Sequence, residues 1–81
     1  MSQHPAPSVG RVVRVPMDPA TNNGADEAAA VITRVWNPTT VNVRILADAA
    51  PRPEDWRTSL VLVENFDEGA GLCRWTWPGR V

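Results

Sequence analysis

Side chains able to do chemistry are few in this chain, and their spacing does not suit them to it. Cys73 is the one cysteine and His4 the one histidine. A thiol nucleophile needs a base to take its proton and donors to hold an oxyanion. The only imidazole here lies near the opposite end of the chain, in a proline-rich stretch. A single cysteine also excludes an intramolecular disulfide and a cysteine-based metal site. Cys73 therefore reads as a buried apolar thiol and His4 as a tail residue. The carboxylates at Asp26-Glu27, Glu54-Asp55 and Asp67-Glu68 are consecutive pairs in loop-like segments. Adjacent side chains point apart, so such pairs read as solvated surface rather than as two acids converging on one atom. No glycine-rich phosphate loop is present, and Asn37-Pro38-Thr39 is not a glycosylation acceptor because proline holds its middle position. The expectation is a protein that is not an enzyme and uses no cofactor or metal.

Binding chemistry is better represented. Four residues are tryptophan, against one phenylalanine and no tyrosine. Trp56 sits among Pro51, Arg52, Pro53, Glu54, Asp55 and Arg57. Tryptophan and arginine are the types enriched at interface hot spots, so Arg52, Trp56 and Arg57 are candidate partner-binding residues. His4, Pro5 and Pro7 join them, because residues 1–8 read as an extended, polyproline-like arm that would order on a partner. Arginine beside an indole can also stack nucleobases, but a formal net charge of -1 and two acids in the same loop argue against nucleic acid. All eight basic residues are arginine. No stretch is long and apolar enough to span a membrane, and MSQHPAPS lacks the basic-then-apolar pattern of a secretory signal. Synthesis in a cytoplasm is the expectation.

The elements that must position these residues read as strands. Residues 9–15 are rich in β-branched side chains and end at Pro16; residues 17–26 form a loop around Asn23-Gly24. Residues 29–36 are read as a strand, with a helical turn before it as the lesser option, and 37–40 as a tight turn. Residues 41–47 alternate, with Val41, Val43, Ile45 and Ala47 on one face and Asn42 and Arg44 on the other. Segments 29–36 and 41–47 thus make a hairpin. One helical turn is expected at Pro53-Glu54-Asp55-Trp56. Residues 59–64 form a strand, 65–71 a hairpin loop and 72–77 the last strand, along which Cys73, Trp75 and Trp77 share a face.

At 81 residues, a core of this size rarely supplies more than about 3–5 kcal/mol without a staple or a partner. Five short strands predict a small antiparallel SH3-like barrel over residues 9–81, which removes most open edges. An OB-like barrel is the alternative and would require a real helix in residues 48–58. The predicted core is Val13, Val31, Val43, Ile45, Leu60, Leu62 and Trp75.

Three stretches carry a resemblance: Val9-Gly10-Arg11-Val12-Val13, Asn37-Pro38-Thr39, and Cys73-Arg74-Trp75-Thr76-Trp77-Pro78. Together they resemble a group of short actinobacteriophage and prophage proteins with a valine-rich first strand and a W-x-W-P close. The chain differs from that group at Arg14, where an aromatic is commoner, and at Asp26-Glu27, where a cysteine often precedes the alanines. The resemblance implies a structural or accessory role such as capsid decoration, with the major capsid protein or another virion protein as partner, self-association as a further option, and the virion as location. The runner-up is an intracellular SH3-like adaptor for a protein or nucleic acid.

Overall fold

The computed structural model describes residues 6–66 and 71–78. It is all-β: five strands, β1 (Val12–Pro16), β2 (Glu27–Asn37), β3 (Thr40–Leu46), β4 (Trp56–Leu62) and β5 (Arg74–Trp75), lie in one sheet in chain order. The sheet curls until its ends meet. Arg14 donates its amide to the Thr76 carbonyl (2.8 Å) and Thr76 returns the bond (3.0 Å), joining β1 to the strand that carries Trp75. The result is a small five-stranded β-barrel, as the strand count predicts. The helical content of segment 48–58 is one short 3-10 turn, Pro53–Asp55, where an OB-like barrel would need a full helix.

One pairing departs from the all-antiparallel expectation. β4 and β5 run parallel, with Val61 opposite Arg74 and Leu62 opposite Trp75. Topology explains this: a ring with an odd number of strands cannot alternate direction all the way round. Here the unavoidable parallel neighbour is the β4–β5 pair, so β5 can close antiparallel on β1.

The turn chemistry follows the residues. Asn37 pairs with Thr40 across the Pro38-Thr39 turn, and the Asn37 side-chain oxygen accepts from the Thr39 amide and hydroxyl. Proline cannot take the positive φ of the usual two-residue hairpin turn, and β2 compensates with register irregularities at 32/34 and 35/37. Asn23 (φ 51°) and Gly24 (φ 88°) both turn left-handed, as that dipeptide suggests.

The interior holds Val13, Val15, Met17, Ala30, Ile32, Val41, Val43, Ile45, Leu60, Trp75 and Trp77. Five of the seven predicted core residues are there, and two need correction. Val31 faces outward and is half-buried; Ile32 is inside instead. The register decides it: Val12 pairs with Val31 and Val13 with Ala30, so the inward phase of β1 selects Ala30 and Ile32. Leu62 is half-buried and packs against the core from its margin. β2 begins at Glu27 with no helical turn, because Val15 and Pro16 of β1 pair with Ala28 and Glu27. β4 begins at Trp56, earlier than expected, because β3 continues to pair past a bulge. Part of the expected 65–71 hairpin loop, including Asp67-Glu68, lies outside the described residues.

Candidate functional site

The outward face of the sheet gathers the exposed aromatic and cationic side chains. Directly opposed residues form a row across four strands, Val12–Val31–Arg44–Trp56. Beside it runs Arg14–Ala29–Leu46, and on its other side Arg34 opposes Asn42. Val12, Leu46, Trp36 and Trp56 are each about half exposed, at 48%, 55%, 52% and 48%. Isolated exposed apolar residues are ordinary, but a contiguous patch on a small protein marks a contact surface.

Trp36 is held in place. Its indole N–H donates to Asn42 Oδ1 at 2.9 Å, and the Arg34 guanidinium lies over its ring, 4.1 Å from the centroid. The same Asn42 oxygen accepts from the Thr58 hydroxyl (2.9 Å) and the Ser59 amide (2.8 Å). Here β4 bulges, so that Thr58 and Ser59 both sit opposite Asn42, and Ser59 adopts φ 59°. Asn42 is buried although its position on β3 faces outward. One carboxamide thus fixes both the bulge and an exposed indole.

The candidate partner-binding residues fare differently from one another. Trp56 opens β4 on the outward face, next to Arg44. Arg52 is exposed at the head of the Pro53–Asp55 turn, where its amide donates to the buried Asp55 carboxylate at 2.9 Å. Arg57 points the other way. It opposes the core residue Val43, and its guanidinium donates to the carbonyls of Pro16 (2.7 Å) and Leu72 (2.9 Å). Burial lowers its pKa from the ordinary arginine value, while Cys73 and then Asp55 act in the opposite direction. Arg57 is therefore a structural tie between β4, the end of β1 and the approach to β5. Pro7 is buried against the domain, so at that position the chain is not a free arm. His4 and Pro5 lie outside the described residues.

One further correction concerns the approach to the last strand. Cys73 is exposed rather than buried; it precedes β5, and its carbonyl accepts from the Val61 amide. Trp77 is a core residue, its ring 5.2 Å from that of Trp75 in an edge-to-face arrangement. Sequence reasoning overlooked Asn22. It is buried, donating to the carbonyls of Ala25 and Glu27 and accepting from the Asp48 amide at 2.7 Å, so it ties the first loop to the end of β3. Its place beside Asn23-Gly24 concealed it as one more turn residue. Arg14 and Glu27, on adjacent strands, meet as an ion pair.

Among the described residues no three His, Cys, Asp or Glu side chains are grouped to hold a metal ion. No described helix is long and apolar enough to cross a membrane. Comparison with protein-family models, with curated proteins and with solved structures finds no match for this chain.

Proposed function

We propose that the chain is a non-enzymatic structural module that packs its outward sheet face against protein, and that it serves in repeated copies as a decoration or minor capsid protein on a phage shell. The observation that carries the reading is the Val12–Val31–Arg44–Trp56 row, flanked by Leu46 and Trp36. A barrel this small leaves two indoles and several aliphatic side chains in water without a catalytic group beside them. Packing against protein would remove that apolar surface, at roughly 25 cal/mol per Å². The resemblance of the opening and closing strands to short actinobacteriophage proteins supplies the phage shell as the specific partner. Quantitative mass spectrometry of purified particles from the encoding phage or prophage tests it. Many copies per particle are expected, and absence from particles would overturn it.

The second reading, an intracellular adaptor for single-stranded nucleic acid, draws on the Arg34–Trp36 stack and the Arg44–Trp56 pair. Titration with an oligo-dT of about 20 nucleotides, followed by tryptophan fluorescence, separates the two. Salt-sensitive quenching favours the adaptor.

A further inference from the structure

The loop between β1 and β2 carries a residue pair in which backbone can attack side chain. Asn23 is the only asparagine followed by glycine. With no Cβ beside it, the Gly24 nitrogen can approach the Asn23 carboxamide more closely than that of a bulkier residue. Asn37 is followed by proline, which has no N–H to lose, and Asn42 is buried and followed by a β-branched valine. Asn23 and Gly24 are both exposed, so water reaches them.

The fold restrains both partners of that reaction. The Gly24 amide donates to the Pro19 carbonyl at 2.8 Å, so the nitrogen that would attack holds its proton. The Asn23 side-chain nitrogen donates to Asp48 Oδ2 at 3.1 Å, which ties the carboxamide to the chain two residues beyond β3. Asn22, one position earlier, is buried and bonded to Ala25, Glu27 and Asp48. Asn23, at φ 51°, is thus clamped between two fixed neighbours.

We infer that Asn23 is a modification site governed by this loop: it is protected while the loop is closed, it deamidates when the loop opens, and the product no longer fits the closed form. In the open loop the Gly24 nitrogen gives its proton to hydroxide and bonds to Asn23 Cγ. The Cγ–Nδ2 bond then breaks, and ammonia leaves with a proton taken from water. A further water opens the resulting succinimide at one carbonyl or the other. An aspartate at position 23 or an isoaspartyl linkage to Gly24 remains. Either product loses the hydrogen bond to Asp48. The aspartate sets a second carboxylate where the Asp48 carboxylate had accepted a proton, and like charges at that spacing repel. The isoaspartyl linkage adds a methylene to the backbone beside Asn22, whose bonds tie the loop to Glu27 and Asp48. The change runs one way, so the modified fraction records how long the loop has stood open since synthesis. This chemistry is independent of whatever the outward face contacts.

The test compares folded and unfolded chains. The full chain is incubated at mildly alkaline pH, in buffer and in guanidinium chloride, and its peptides are mapped by mass spectrometry over time. Modification is expected first at Asn23, where it adds one negative charge to the formal net charge of -1. The folded chain should react at least about tenfold more slowly than the unfolded one, because reaction waits on loop opening. Asp48→Ala removes the carboxylate and keeps the backbone amide at position 48 that donates to Asn22, so the loop stays anchored while the Asn23 side chain is released. It should raise the folded-state rate severalfold and leave the unfolded-state rate unchanged. Asp48→Asn keeps an acceptor in place and should react as slowly as the unaltered chain; far-UV circular dichroism verifies that both variants are folded. Asn23→Asp should lower the melting temperature, and adding Asp48→Asn to it should restore the loss. Equal rates in the folded and unfolded chains overturn the inference, as does earlier modification at another asparagine. A folded-state rate that Asp48→Ala does not move overturns it too, as does an Asn23→Asp variant that melts with the unaltered chain.

Discussion

Two pairs of tryptophans lie on opposite sides of the same sheet. Trp75 and Trp77 are inside, edge to face, and the Trp75 indole N–H donates to the Thr39 carbonyl at the β2–β3 turn. Trp36 and Trp56 are outside and half in water. The inner pair holds the barrel's end to its first hairpin. The outer pair does little for the barrel and is better suited to contact something else. Residue type alone therefore says nothing about role; the side of the sheet assigns it.

The strongest way to break this contrast is to remove one indole from each pair. Trp75→Ala should cost about 3–5 kcal/mol of unfolding free energy, because it empties a fully buried site and removes one of the two hydrogen bonds to the Thr39 carbonyl. Trp56→Ala should change stability by about 0.5 kcal/mol or less. Urea melts of the two variants decide it, and equal losses would mean that Trp56 is also core. Next comes the group joining the two regions. Asn42→Ala should cost about 1–3 kcal/mol, since the Ser59 amide and the Thr58 and Trp36 donors lose a common acceptor. It should also shift Trp36 fluorescence, which a purely internal role for Asn42 would leave alone. A smaller effect is expected at the tie across the barrel mouth. Arg57→Met keeps the apolar stem but drops the bonds to Pro16 and Leu72, and should cost about 1–2 kcal/mol. Smallest of all, Ser59→Gly should be neutral or stabilising by a few tenths of a kcal/mol, because glycine takes φ 59° without strain. Cys73 sharpens the comparison without a mutation. In the folded state it should react with a thiol reagent at close to the rate of the unfolded chain, as an exposed thiol does.

Much of the barrel was legible in the sequence because alternation is a strong signal. Val41, Val43 and Ile45 announce their face, and Pro38 announces the turn before them. The β2 phase was not legible, because EAAAVI is apolar at nearly every position and only pairing with β1 tells Val31 from Ile32. Trp56 was picked out as a contact residue from its neighbours, and the structure does place it on the outside. Arg57, one position on, was indistinguishable from it by composition. Only the inward phase of β4 reveals that its charge is used within the fold. Asn42 and Asn22 were invisible for a different reason. An asparagine's hydrogen bonds depend on what the fold brings to it, and Ser59 and Asp48 come from distant sequence.

The seam between Arg14 and Thr76 sets the timing of assembly. Its two hydrogen bonds join residues 62 positions apart, from 76 − 14, and such distant contacts form late. A chain made from its N-terminus completes β1 first and must leave one edge of that strand unoccupied until Thr76 has been synthesised. During that interval the open edge can accept the last strand of any neighbour as readily as its own. A ribosome cluster producing this protein in quantity would thus expose nascent chains to strand exchange. The closing segment Trp75-Thr76-Trp77 limits the danger by arriving with two indoles that only a finished interior can bury.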